Sequence, residues 1–483
     1  MRSNSAPRNQ TNLPWNPGYD LGSAESGPLH ERLKSTLLDA IRAGRLTAGS
    51  MLPPSRSLAA ELGCSRWVVT EAYSQLIAQG YLEARTGSAT RVKLSSAPRD
   101  HASPAPIRSE PNFNLTSGLP DLRAFPRRPW AAAIRAALSQ ASFVDLAYPL
   151  HGGHPRLRWV LAGYLTRLRG AAVEPDDVIV STGVIDGVTR LCRALKRSGA
   201  SLIGVEDPGW PRLASAAEAG GVSIVPLAVD EHGICVDQLA ANSEIRAVIV
   251  APAHQFPTGA VLSPSRRALL LEWAREVDGI VIEDDYDAEL RYDGRPVGTL
   301  QGVDPSRVVL MGSVSKTLVP ALRMGWIAAP PRWVRPLRDD RVPSPEPPTL
   351  EQLALASFIE TGSFDRHLRR ARQRYRVRRD ALLRALESEL PQCFVSGIAA
   401  GLHILLHLPE DVDSSAVVRE AALRGLRLRS LDQFAVRVGT WRNGLVLGYG
   451  NLPDELVCEA ARELALAVLA SSSRRITTVS RPA

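Results

Sequence analysis

Five short apolar runs constrain the fold more than any other feature: VIVS (178–181), SLIGV (201–205), RAVIV (246–250), GIVIEDD (279–285) and RVVLMG (307–312). Stretches long enough for helices, such as 185–197 and 264–277, separate several of them. Strands that read as unbroken apolar runs are buried on both faces, and strands alternating with helices imply right-handed crossovers. From Phe113 onward the chain is therefore expected to be α/β, a mostly parallel central sheet with helices on both faces. At 483 residues it is too long for one compact core and should form two or three domains.

Composition marks the divisions. The residues LSSAPRDHASPAPIRSEPN hold four prolines and little apolar content, so 95–112 reads as a Pro-rich linker. Residues 1–27 lack periodicity and read as a flexible tail, 28–94 as a compact helical unit, and 113–483 as the large domain. The chain has no internal repeat. No run approaches the roughly 18 apolar residues of a membrane span, and the basic start has no apolar core like that of a secretory signal. Five scattered cysteines without a Cys-x-x-Cys pair fit a reducing cytosol rather than a disulfide framework or zinc site. His151 and His154 beside a Gly-Gly turn have no companions suited to a metal, so no metal is expected. The net charge of +8 permits a polyanionic partner.

In SRSLAAELGCSRWVVTEAYSQLIAQGYLEARTGSATRV, Ser55 can cap a helix carrying Leu58, Ala59 and Leu62 inward. Gly63 supplies a turn, and Ser65 can cap a second helix with Val68, Val69, Ala72, Tyr73 and Leu76 inward. The following YLEARTGSATRVK alternates like a hairpin with Gly87 at its bend. This is a winged helix-turn-helix layout. Arg66, Trp67, Thr70 and Glu71 then face outward from the second helix, where major-groove contacts arise, while Arg56, Arg85 and Arg91 could grip phosphates. A basic helical bundle with a solvated face would read the same way: nine Lys and Arg stand against five Asp and Glu in 28–94. The stretch from PLHERLK through SRSLAAELGCSRWVVTEAYSQLIAQGYLEA resembles the DNA-binding domain of GntR-family bacterial regulators over its whole length. That resemblance implies double-stranded operator DNA as a partner. Trp67 and the wing RTGSATRV depart from the family pattern.

The large domain is organised around MGSVSKTLVPALRMGW (311–326), which holds Ser313, Ser315, Lys316 and Arg323. A basic loop would look the same in isolation. Thirty-two residues earlier, VIEDDYDAEL sets Asp284 and Tyr286 two apart on an expected strand, where both side chains point one way. An acid and a phenol projecting together suit a heteroaromatic ring. APAHQFPTG (251–259) adds a third loop at a strand end, where α/β sheets bind ligands. These loops resemble the fold type I pyridoxal-phosphate enzymes of the aspartate aminotransferase superfamily. With the GntR-like module in front, the chain from 28 to about 470 resembles the MocR/GabR subfamily of regulators.

The resemblance implies pyridoxal 5'-phosphate as cofactor, bound through a Schiff base on Lys316. It further implies Asp284 on the pyridine nitrogen, Tyr286 on the phenolic oxygen, and Arg323 with Ser313 on the phosphate. Gly183 and Val184 would open the phosphate-binding helix. Trp210 in EDPGWPR would stack on the ring, although a core tryptophan would read alike. Arg212 matches a position that meets an effector carboxylate, and Tyr148 one that reaches a neighbouring subunit's phosphate, implying a homodimer. Three departures stand out. STGVIDGV replaces the usual phosphate turn, Phe256 replaces an asparagine for which His254 or Gln255 could compensate, and Val446 stands where aminotransferases carry a carboxylate-binding arginine. Arg437 and Arg442 lie near enough to substitute for the last. The arginine run DRHLRRARQRYRVRR (365–379) fits one helix with a solvated basic face, or a surface guiding DNA. Two functions follow: a cytoplasmic transcriptional regulator sensing pyridoxal phosphate or an amino compound, or a working aminotransferase that carries a DNA-binding domain.

Overall fold

The computed structural model describes residues 27–84, 89–93, 111–292, 297–340, 346–437 and 443–473. The chain divides into two compact units, Met1–Ser109 and Glu110–Ala483. Most of the tail and of the linker lies outside the described residues, as do Arg85, Gly87 and Arg442. Among the described residues no helix is long and apolar enough to cross a membrane.

In the small unit, helices Leu29–Arg42, Ser55–Glu61 and Arg66–Ala78 enclose Leu33, Leu37, Leu58, Val69 and Leu76. Gly63 makes the turn between the last two with φ +62°, a conformation that costs glycine nothing. Strand Leu82–Glu83 pairs antiparallel with Arg91–Val92, completing the winged helix. The expected cap at Ser55 is not formed. Pro54 occupies the N-cap position, and the Ser55 hydroxyl instead accepts from Arg66 Nε at 3.3 Å. Ser65 does sit at the N-cap of the third helix, but its side chain makes no capping bond.

The large unit is built on an eight-stranded sheet in the order Val178–Ser181, Gly325–Ala328, Val308–Ser313, Ile280–Asp284, Ile245–Val250, Leu202–Asp207, Ser223–Asp230, Gly233–Ile234. From Val308–Ser313 through Ser223–Asp230 neighbouring strands run parallel, while Gly325–Ala328 and Gly233–Ile234 are antiparallel to their partners. Every residue of 178–181, 280–284, 308–313 and 325–328 is buried, which is why these segments read as continuous apolar runs. Strand Ile280–Asp284 stops at Asp284, so Tyr286 lies in the following loop and not two places along the strand. Asp285 ends the run by turning to the other side, where Arg169 holds its carboxylate at 2.7 and 3.0 Å.

A second, antiparallel sheet has the order Phe394–Ser396, His403–His407, Gly444–Gly448, Arg429–Ser430. The arginine run belongs to helix Ser363–Glu389, whose buried side is Phe364, Leu368, Ala371, Tyr375, Arg378, Leu382 and Leu386. Among these arginines Arg378 departs furthest from the solvated-face reading. Arg378 is buried, bridging Asp121 at 2.9 Å and Asp454 at 2.5 Å. The first residues of the unit are tied to its C-terminal half, since Phe113–Asn114 pairs in parallel with Leu426–Arg427.

Candidate functional site

The third helix of the small unit, Arg66–Ala78, presents Arg66, Trp67 and Thr70 to solvent, with Arg56 exposed on the preceding helix. The Arg66–Ser55 hydrogen bond joins the two helix starts, so Arg56 and Arg66 lie on adjoining helix ends. Thr70 Oγ1 donates back to the Arg66 carbonyl at 3.0 Å. Trp67 is 60% exposed yet leans edge-on against His30, ring centroids 5.2 Å apart. Arg91 donates to the Gly49 carbonyl at 3.2 Å and so ties the wing to the loop before Met51. A helix start bearing an exposed guanidinium beside a second cation is the geometry by which helix-turn-helix modules read a major groove and grip its phosphates.

In the large unit the strand ends converge on Lys316. Its Nζ donates to the Gly118 carbonyl at 2.8 Å and lies 5.9 Å from the centre of the Trp210 ring, over which Arg212 also stands at 5.9 Å. Burial lowers the lysine's pKa from its ordinary range and Arg212 adds to this, while Asp284 and Asp287 oppose it. A buried amine so placed is more readily neutral and nucleophilic. Asp284 is pushed up to about 7 by burial and by the charge of Asp285, and its buried Oδ1 has no partner among the described residues. A protonated ring nitrogen would satisfy that oxygen and return the carboxyl to its charged form. Tyr286 bonds Nδ1 of His254 at 3.0 Å, and burial, with the charges of Asp287, Asp284 and Glu206, holds its phenol well above the ordinary tyrosine range.

Helix Val184–Arg197 opens from Gly183 (φ +125°) with no side chain capping it. Arg323, held at φ +46°, brings Nη1 to 4.0 Å from where a Cβ on Gly183 would stand. Gly325 is glycine because the Gly183 backbone packs 2.8 Å from its missing Cβ. Ser313, buried at its strand's end, accepts from the Ser315 amide at 3.4 Å. Open helix amides, a guanidinium and a hydroxyl are donors of the kind that hold a phosphate. The structure thus gathers Lys316, Asp284, Tyr286, Trp210 and Arg212, and sets Arg323 over Gly183. Tyr148 is not gathered: it is 97% exposed. Arg437 points elsewhere, donating to the Pro226 carbonyl at 2.8 Å.

Two features were not legible beforehand. Gly118 has φ +81°, and a Cβ there would stand 3.0 Å from Lys316 Nζ. We expect Gly118→Ala to displace the amine and strain the backbone, weakening cofactor uptake about tenfold; an absorbance titration checks this, and unaltered affinity would remove Gly118 from the site. The second feature is the packing around Val446. That side chain is fully buried with Leu405, Leu431 and Phe434, and Phe256 packs against this cluster. Arg429 lies opposite Val446 on the neighbouring strand, with its guanidinium 5.9 Å over Phe434.

Residues 111–424 match the family of class I and II aminotransferases, and residues 29–92 match the gntR family of bacterial regulatory proteins. The pyridoxine biosynthesis transcriptional regulator PdxR of Corynebacterium glutamicum is 34% identical over 441 residues, covering 88% of this chain and 92% of that protein. The probable rhizopine catabolism regulatory protein MocR of Rhizobium meliloti is 32% identical over 479 residues, covering 92% of this chain and 95% of that one. Among solved structures, a multiple substrate aminotransferase from Thermococcus profundus superimposes with a TM-score of 0.67 at 26% identity, covering 76% of this chain and 94% of its own. Two modules in this order, matched along nearly the whole chain by regulators, leave one assignment: the protein is a helix-turn-helix transcriptional regulator of the GntR family with an aminotransferase-like domain, a member of the MocR/GabR subfamily.

Proposed function

We propose that the large unit holds pyridoxal phosphate on Lys316, and that this cofactor, or an amino compound reacting with it, alters how the small unit engages operator DNA. The observation that carries the reading is the pairing of a buried, pKa-lowered lysine amine with a buried carboxyl whose free oxygen lacks a partner. Asp284 would meet the ring nitrogen, Tyr286 the ring oxygen and Trp210 a ring face, while Arg323, Ser313 and the amides after Gly183 would take the phosphate. When bound, the cofactor supplies an aldehyde that amines attack and a ring that draws electrons. Arg212 offers its charge to an effector's carboxylate beside Lys316.

The apolar packing of Val446 favours sensing over steady transamination. Hydrocarbon from Leu405, Leu431 and Phe434 fills the place where an aminotransferase would bind its substrate's carboxylate. A homodimer is part of the proposal. Phe143 (88% exposed), Val144, Leu146, Tyr148 and Leu150 form a short exposed run that needs a covering surface. The stretch 95–112 serves as the tether between the two modules.

The test is an absorbance titration of the purified protein with pyridoxal phosphate, repeated with DNA from upstream of its own gene. A saturable visible band that shifts DNA affinity about tenfold, or about 1.4 kcal/mol of differential binding, is expected. Arg66→Ala should weaken DNA binding while leaving that band intact. Absence of any band would sink the cofactor assignment, and a band without effect on DNA would shift the search to amines that attack it.

A further inference from the structure

Beyond the residues assigned to the ring, a buried polar chain lies behind Tyr286. Nδ1 of His254 stands 2.9 Å from Asp287 Oδ2 and 3.0 Å from the Tyr286 hydroxyl. The His254 and Tyr286 rings are nearly parallel, 23° apart with centroids at 6.0 Å. His254 and Asp287 are both buried, and a Cβ on Gly401 would collide with the histidine ring and with Asp287, so the fold leaves the pair no room to move. On the remaining side Phe256 meets Tyr286 edge-on at 6.3 Å and offers no hydrogen bond. The charged and titratable groups around the pair are few. Asp287, Asp284 and Glu206 face the phenol, Asp287 also as a direct hydrogen-bond partner of its hydroxyl, His403 lies 5.1 Å from the His254 ring, and the Lys316 charge is felt at His403.

Hydrogen counting sets the direction of the chain. Nδ1 carries at most one hydrogen, and both neighbours sit on its side of the ring. If Tyr286 gives its own O–H to a ring oxygen, its lone pair is free to accept. Nδ1–H is then the donor, shared between the Asp287 carboxylate and the phenol oxygen. We propose that His254, anchored by Asp287, is a positioning residue that donates to the Tyr286 oxygen and thereby orients and strengthens the O–H which Tyr286 offers to the ring oxygen of pyridoxal phosphate. The inference rests on the cofactor reading above. It assigns to a histidine two residues before Phe256 the polar support that Phe256 cannot give.

The test is a pH titration of the visible band of the cofactor-loaded full-length protein, with cofactor affinity measured alongside. A donor to an anionic oxygen favours the anion, so weakening that donor should raise the band's midpoint. His254→Phe is expected to raise it by about one pH unit and to weaken affinity about tenfold. His254→Gln, which keeps an N–H donor, should recover most of the shift. In a Tyr286→Phe background, His254→Phe should leave the midpoint where that background put it, because the route through the phenol is gone. Should His254→Phe fail to fold, Asp287→Asn must shift the midpoint in the same direction by a smaller amount. An unmoved midpoint in a folded, cofactor-binding variant overturns the inference. So does an equal shift in the Tyr286→Phe background, since His254 would then act by another path. A wild-type protein with no visible band overturns the cofactor reading itself, an outcome distinct from a wild-type band that the variants leave unchanged.

Discussion

Lys316→Ala should lose the visible band of bound pyridoxal phosphate after dialysis, with affinity for the cofactor falling at least about a hundredfold, or about 2.7 kcal/mol. The expectation follows from the surroundings of the amine. Lys316 Nζ is fixed against the Gly118 carbonyl, below the Trp210 ring and within the field of Asp284. Burial depresses its pKa, so an attack on an aldehyde does not first have to strip a fully stabilised ammonium. Lys316→Arg separates the two contributions of the side chain. It keeps a positive charge beside Asp284, but a guanidinium stays protonated and cannot replace the amine as nucleophile. The arginine variant should therefore lose the band as completely as the alanine variant, while retaining more of the phosphate-driven affinity. Binding of the small unit to DNA should remain measurable in both. A band that survives dialysis in either variant would show that another amine holds the cofactor.

What could be read in advance, and what could not, follows the range of the interactions involved. The buried strands announced themselves because their unbroken apolar runs reflect burial on both faces, a local property of sequence. Lys316, Asp284 and Tyr286 were legible because strand ends and short motifs carry them. The contact between Gly118 and Lys316 was not, since it joins residues 198 positions apart. Arg378 shows the same limit within a single helix. Its spacing from Ala371 and Tyr375 puts it on the buried stripe of the helix, but the run does not show how a cation is satisfied there, because its partners are Asp121, 257 residues away, and Asp454. Ser55 illustrates a competition between neighbours: a hydroxyl suited to capping went to Arg66, eleven residues on, and Pro54 took the cap position. Phe256 and Val446 were visible as departures, but their packing with Phe434 into the apolar cluster joins residues far apart in the chain.

The same long-range logic gives the largest stability effect. Asp285→Ala should destabilise the large unit by about 3–5 kcal/mol, the cost of leaving a buried charge unpaired. Arg169 and Asp285 side chains are each 4% exposed and joined by two hydrogen bonds, which leaves Arg169, among the described residues, with the Val297 carbonyl at 3.0 Å as its hydrogen-bond partner once the carboxylate is removed. Glu289 also faces Arg169, but it already accepts from the Tyr164 hydroxyl at 2.6 Å and is poorly placed to take over. Replacing both partners with hydrocarbon, as in Arg169→Met with Asp285→Leu, should return stability to within about 1 kcal/mol of the parent, because the penalty lies in the orphaned charge rather than in the loss of the pair. Urea unfolding followed by circular dichroism would report this as a lower midpoint at unchanged slope for the single variant, and recovery in the double. A single-variant cost below about 1 kcal/mol would mean that water reaches Arg169. The site should register the loss as well. The Asp285 amide bond to the Met311 carbonyl at 2.9 Å belongs to the backbone and survives the substitution, but the Asp285 charge helps to hold the Asp284 carboxyl up at about 7. Removing that charge in either variant should lower the Asp284 pKa, so affinity of the folded protein for pyridoxal phosphate should be no weaker than the parent's, and a loss of affinity in the folded double variant would show that the ion pair places Asp284 rather than tuning it.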